Sequence, residues 1–165
     1  MNPGPLDQSN NSTIFTFSEA VPMSAHDVVV DPVISEVSPT FVEIMNQVAV
    51  AESDQLSQLV GIGLRKGLEF LIKDFAKLQN KEDATKVKAI ETSALGQVIA
   101  NFVDHPKLKA VAQRASWLGN DETHYVRKWD DKDIKDLRAL IQLTTAWIVQ
   151  VVLSERYELD MPEGK

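Results

Sequence analysis

Two short patterns in this sequence place chemically active side chains at fixed spacing. The first, Gly119-Asn120-x-x-x-His124, lies between two segments with helical patterning. If the chain enters a new helix at once, Asn120 becomes its N-cap and His124 lies about one turn further along the same side. An amide, an imidazole and free backbone N–H groups on one surface can bind a phosphate or polarise a hydroxyl group.

The same pattern also has a purely structural explanation. Glycine just past an apolar helix fits the left-handed C′ position, so Gly119 predicts helix termination. Asn120 is then an ordinary cap, and His124 forms a hydrogen bond to a neighbouring helix. Such caps are common, so spacing alone favours the structural interpretation over a binding site.

The second pattern is Arg65-x-x-x-Glu69. Spacing of i, i+4 puts both side chains on one helix face, where an exposed pair contributes ~0.3–0.5 kcal/mol. Arg65 also lies between Gly63 and Gly67, beside an apolar stripe. A partly buried arginine needs partners, which Glu69 or the region around Asn120 can supply. An ordinary surface ion pair is the alternative.

Basic residues and aromatic residues flank the first pattern. The cations are Lys107, Lys109, Arg114, Arg127 and Lys128, and the interleaved aromatic residues are Trp117, Tyr125 and Trp129. Such a surface can bind single-stranded RNA, because bases stack on aromatic side chains. A solvated helix face with buried tryptophans is the alternative that the aromatic spacing favours.

The sequence contains no motif for a metal site, a serine hydrolase or a nucleotide-binding loop. Asp121, Glu122 and His124 lack an H-x-x-x-H pair or a second ligand cluster, and the chain has no cysteine, so we expect no metal site. There is no G-x-S-x-G for a serine hydrolase. The segment 61–63 lacks the further glycine and lysine of a nucleotide-binding loop, and we expect no cofactor.

Charge is distributed unevenly along the 165 residues. The net charge is −7, yet residues 1–64 hold eight acids and no lysine or arginine, and the first basic residue is Arg65. An acidic chain is a poor partner for duplex DNA. Since we see neither an apolar run of about 18 residues nor the charge pattern of a secretion signal, we expect a cytoplasmic protein with no membrane span.

Hydrophobic periodicity predicts an all-α bundle with an extended N-terminal arm. The acidic arm, residues 1–37, contains two β-prone runs that can form short strands, 14–17 and 28–30. The helical domain covers 38–158, and a polar tail covers 159–165. The expected helices of the domain begin at Ser38-Pro39, Glu52, Ser93 and Pro106, with a last one capped by Asp130. The charged connection 81–88 is expected to be a loop that runs into a short helix with Val87 and Ile90.

Gly63 and Gly67 lie on the apolar stripe of the longest expected helix. Each glycine in a helix interior costs ~1 kcal/mol, so a close helix crossing is the simplest compensation. A dimer formed through this glycine face is a second expectation.

The order of these patterns resembles a known family. Arg65-x-x-x-Glu69 on a long helix, a helical hairpin, Gly119-Asn120-x-x-x-His124 and a long apolar helix together resemble the bacterial family catalogued as domain of unknown function 4145. That family is related to the HEPN (higher eukaryotes and prokaryotes nucleotide-binding) superfamily. The resemblance covers about residues 35–157.

The resemblance implies a HEPN-like bundle of four to five helices, often dimeric and frequent near restriction and anti-phage systems. Active HEPN ribonucleases carry R-x(4–6)-H, in which histidine assists proton transfer and arginine holds the scissile phosphate. Asn120 and His124 match the polar residue and the histidine, but Gly119 occupies the arginine position. The arginine often found three residues before the glycine is replaced by Ser116, with Arg114 two positions earlier. The cysteine-rich zinc ribbon of many members is absent.

Three functional hypotheses follow. The leading one is a non-catalytic HEPN-like domain, a homodimer, that binds a protein partner or a nucleotide or RNA end in a defence-related system. The binding residues would be Arg65, Glu69, Arg114, Gly119, Asn120, His124 and Arg127. The second is a metal-independent ribonuclease that uses His124, with Asn120 in the site and Arg114 or Arg127 as the phosphate anchor. The third is an adaptor that docks through the acidic arm.

Overall fold

The computed structural model describes residues 28–126, 128–129 and 131–163. These ranges contain seven helices and no strand, which confirms the all-α bundle. The helices are α1 (Pro32–Val37), α2 (Pro39–Ser53), α3 (Ser57–Gln79), α4 (Ala84–Thr92), α5 (Leu95–Phe102), α6 (Pro106–Asp121) and α7 (Ile134–Asp160).

Helix α3 is the centre of the bundle and contacts each of the other six helices. Its apolar residues recur every three or four positions, so they share a wide stripe along the helix. The fully or almost fully buried side chains of this stripe are Val60, Leu64, Leu68, Leu71, Ile72, Phe75 and Ala76. The sequence pattern predicted this face, and the structure confirms it from Val60 to Phe75, whereas Leu56, Leu59 and Leu78 of the same predicted stripe are exposed.

The N-terminal segment differs from the extended arm that we expected. Asp31 caps the short helix α1 by accepting a hydrogen bond from the Val33 backbone N–H at 2.9 Å. Val33 and Ile34 are buried in the core. The expected strand at 28–30 does not form, and the Val28 N–H instead donates to Asn46 Oδ1 at 2.8 Å. The other expected strand, 14–17, lies outside the described residues.

The long helix expected from Glu52 is interrupted. Helix α2 continues to Ser53, and α3 begins only at Ser57. Gln55 lies between them with a left-handed φ of 59°, so the chain reverses there. Apolar residues continue at helical spacing on both sides of the turn, and therefore periodicity alone did not reveal it.

Close packing of α2 on α3 depends on glycine, as the sequence predicted. A Cβ atom at Gly63 would lie 2.5 Å from Val48 Cγ2, and one at Gly67 would lie 3.4 Å from Phe41 Cδ2. Helix α2 of the same chain therefore covers the glycine face of α3 on which we expected a second copy to pack.

The Gly63–Val48 contact predicts a loss of stability for Gly63→Ala. Val48 is buried and β-branched, so it has little freedom to move away from an added methyl group. Overpacking costs about 1–3 kcal/mol and should exceed the ~1 kcal/mol that alanine gains in helix propensity. Urea unfolding should show a lower free energy of unfolding for Gly63→Ala than for wild type. Gly96→Ala on α5, where nothing lies within 4 Å, is the matched control and should be neutral or stabilising.

Helix α7 begins at a capping box rather than at Asp130, which lies outside the described residues. Asp133 accepts from the backbone N–H of Lys135 and Asp136, and the Asp136 carboxylate accepts from the Asp133 N–H. By length and composition alone α7 could cross a membrane. Its buried residues Leu137, Ile141 and Ile148 belong to the bundle core.

Candidate functional site

The two sequence patterns meet where α3 crosses α6. Arg65 Nε donates to Asn120 Oδ1 at 2.7 Å, and Arg65 NH1 donates to Glu69 Oε2 at 3.1 Å. Lys73 Nζ lies 2.9 Å from the second carboxylate oxygen of Glu69. Arg65 therefore has the partners that its position between two glycines predicted. This network joins α3 to α6. It engages the Arg65 guanidinium and the Asn120 amide oxygen, two groups that the sequence offered for ligand binding.

Gly119 does not end a helix. It lies inside α6, which continues to Asp121, and a Cβ atom there would be 3.0 Å from Arg65 Cδ. The residue is small because the Arg65 side chain crosses directly over it. Asn120 is consequently a helical residue and not an N-cap, and the next helix begins only at Ile134.

Glu69 is the centre of the charge network. Burial by itself would raise its pKa, but hydrogen bonds and charge attraction from Lys73 and Arg65 outweigh this effect and lower the pKa. The folded protein thus favours the ionised carboxylate. The network stabilises the fold above the ordinary glutamate pKa of about 4.3 and loses that effect as pH falls through the lower folded-state value.

This shift predicts a pH-dependent effect of Glu69→Gln. At neutral pH the variant should be less stable than wild type by about 0.2–1 kcal/mol, as is usual for a partly exposed ion network. The difference should shrink as pH falls from 5 to 3 (roughly the range of carboxylate titration). Chemical denaturation at several pH values measures it, with Glu43→Gln as the control for removing an exposed carboxylate. A difference that grows on acidification would contradict the assignment.

Asp121 shapes the loop that follows α6, a role that sequence reasoning missed. Its side chain is buried, and its two carboxylate oxygens accept hydrogen bonds from the backbone N–H groups of Lys128, at 2.7 Å, and Trp129, at 2.9 Å. A carboxylate at a helix C-terminus is disfavoured by the helix dipole, and this was the available signal. No metal-binding group of acids and histidines occurs among the described residues.

The loop closed by Asp121 forms one side of an open cleft of roughly 750 Å³. Its lining residues are Trp117, Asn120, Asp121, His124, Tyr125, Val126, Lys128 and Trp129. His124 is exposed, and its backbone N–H donates to the Asp121 carbonyl at 3.2 Å. Within the described part of the chain its imidazole makes no hydrogen bond to a neighbouring helix. The hydrogen bond that the structural interpretation assigned to His124 is therefore absent from the described residues, and the helix that the binding interpretation started at Asn120 does not form either.

The aromatic residues around this cleft are not buried. Trp117 is 51% exposed, Trp129 45% and Tyr125 fully exposed. The expectation of buried tryptophans is wrong for both tryptophans in this region. Trp147, on α7, instead contacts the His105 ring with centroids 4.9 Å apart.

The expected cations are only partly brought together. Lys128 lines the cleft, and Arg114 lines the adjoining groove between α6 and α7, where its NH1 donates to the Ala110 carbonyl at 2.7 Å. Lys109 Nζ donates to the Ala100 carbonyl at the end of α5. Lys107 is exposed near the start of α6, and Arg127 lies outside the described residues. Lys132, which we had not selected, joins Arg114 at the groove.

Comparison of this chain with protein-family models, with curated proteins and with solved structures finds no match.

Proposed function

We propose that this chain is a non-catalytic HEPN-like domain that binds an unpaired RNA segment or nucleotide end in the cleft between Trp117 and Trp129. The observation that carries the proposal is the exposure of three aromatic side chains around one cleft. Exposed tryptophans leave about half of their surface in water, and a bound nucleobase would cover it.

The charges at the cleft support an anionic ligand. Lys128 lies in the cleft, and Arg114 and Lys132 lie beside the same tryptophans. The carboxylate of Asp121 is directed to backbone N–H groups and is buried. A local cationic and aromatic surface on an acidic chain suits a short single-stranded ligand better than a duplex, which requires many phosphate contacts.

The arrangement of the motif residues supports binding rather than cleavage. Arg65 is engaged by Asn120 and Glu69, and Gly119 supplies no charge. His124 has no orienting hydrogen bond to its ring among the described residues, whereas efficient acid–base catalysis uses a positioned imidazole. A ribonuclease would need another cation to complete the site, and Lys128 is the described candidate in the cleft.

Fluorescence anisotropy with a fluorescein-labelled single-stranded RNA tests this function. Trp117→Ala and Trp129→Ala should each raise Kd about tenfold, within the roughly 1–3 kcal/mol that one stacked base contributes. Tyr157→Ala is the matched control, because Tyr157 is also exposed but lies on α7 outside the cleft. Equal affinities for all three variants and wild type would contradict the proposal, because the RNA would then bind outside this cleft.

RNA cleavage is measured in a separate assay. Metal-stripped wild type and His124→Ala are incubated with total RNA and separated on a denaturing gel. The non-catalytic proposal predicts intact RNA in both samples. Cleavage by wild type alone would establish the ribonuclease hypothesis instead, since removal of a general acid–base group lowers the rate by about 10²–10⁴.

A further inference from the structure

A second, more apolar groove adjoins the proposed cleft. It lies between α6 and α7 and has a volume of about 440 Å³. Trp117 and Trp129 line both this α6–α7 groove and the cleft, so the two depressions adjoin each other at these tryptophans. On the groove side they are joined by Leu118, Leu140 and Leu143. Leu143 is 50% exposed, so an apolar surface remains uncovered there.

The edge of the α6–α7 groove carries charged side chains. Arg114 and Lys132 line it on the described surface, together with one carboxylate, Asp136. Asp136 accepts the Asp133 N–H in the capping box of α7, and Lys132 Nζ lies 3.5 Å from Asp131. An apolar floor, two tryptophans and two cations suit a flat nucleobase attached to a phosphate.

We propose that the bound strand crosses the Trp117–Trp129 pair and places a second base in the α6–α7 groove. The phosphate that links the two bases would then lie beside Arg114 and Lys132. This inference rests on the proposed function and narrows its ligand class: the site takes a single strand of at least two nucleotides, whereas a mononucleotide fills only one of the two depressions.

Titration calorimetry with adenosine 5′-monophosphate and with a four-nucleotide adenylate strand tests the inference. Wild type should bind the strand at least about tenfold more tightly than the mononucleotide, as expected for one additional stacked base. Leu143→Asp should remove this gain, because it closes the groove to a base while the cleft stays open. The neutral Leu143→Gln should act in the same direction, which separates lost apolar contact from charge repulsion.

Leu153→Asp is the matched control, since Leu153 is an exposed leucine on the same helix and does not line the groove. It should leave both affinities unchanged. If Leu143→Asp and Leu143→Gln retain the full gain, the groove does not hold a base and the inference is wrong, while the proposed function stands. If wild type binds neither ligand, the proposed function itself fails.

Discussion

Asp121→Asn is expected to open the loop after α6 and to weaken ligand binding at least tenfold. The amide keeps the size of the carboxylate but offers only one acceptor oxygen for the Lys128 and Trp129 N–H groups, and its NH₂ group would face one of these donors. Losing hydrogen bonds to a charged, buried acceptor costs about 1–3 kcal/mol each. Trp129 and Lys128, which the carboxylate holds in place, would no longer be fixed at the cleft.

Two measurements check this expectation. Urea unfolding should show a lower free energy of unfolding, and RNA anisotropy should show a higher Kd. Asp104→Asn is the control, because Asp104 is an exposed aspartate that precedes the same helix. If Asp121→Asn retained both the stability and the affinity of wild type, the carboxylate would have no role in holding the loop.

Gly119→Arg should have the largest effect on stability, about 3 kcal/mol or more. It introduces the residue type that active HEPN ribonucleases carry at the matching motif position, but the new side chain would enter the space held by Arg65, whose Cδ lies 3.0 Å from the Cβ position. The Arg65 Cβ and Cα also lie 3.5 and 3.7 Å from that position, in van der Waals contact, so a long side chain can be placed there only if the Arg65 side chain is displaced. The Arg65–Asn120 hydrogen bond that joins α3 to α6 would be lost with it.

Gly119→Ala provides the graded comparison for this substitution. A single methyl group at 3.0 Å requires a shift of a few tenths of an ångström, so its effect should be well below that of arginine. Thermal unfolding and RNA cleavage are both measured. We expect neither variant to cleave RNA. A stable Gly119→Arg protein that cleaves RNA would show that the glycine had removed an activity rather than made room for Arg65.

Local sequence signals predicted several elements because their physical causes are local. Pro39 after Ser38 marks the start of α2, and the three- and four-residue apolar spacing marks the buried face of α3. The partners of Arg65 were also predicted, since an arginine between two glycines on an apolar face has to find acceptors nearby. The glycines themselves predicted the close crossing.

Signals that depend on what packs opposite a residue were misread. Gly119 has two possible causes, a left-handed helix end or a close contact, and only the position of α3 distinguishes them. The hydrophobic pattern of the sequence does not reveal the helix break at Gln55, because both flanking helices bury apolar residues in the same core. The choice of Asp130 as a cap followed from side-chain type, whereas Asp133 has the partner Asp136 that completes a capping box.

By itself, the sequence determined the all-α class, the buried face of α3 and the residues that could bind a ligand, because periodicity and residue type are carried by each segment alone. Only the tertiary structure decided which of those residues share a surface. In the structure, Arg65 and Asn120 bond to each other between two helices, and Asp121 holds the loop after α6 by accepting hydrogen bonds from its backbone. Trp117, Trp129 and His124 lie exposed at one cleft. The physical reason is that exposure and partners depend on the elements packed around a side chain, which segments distant in sequence supply.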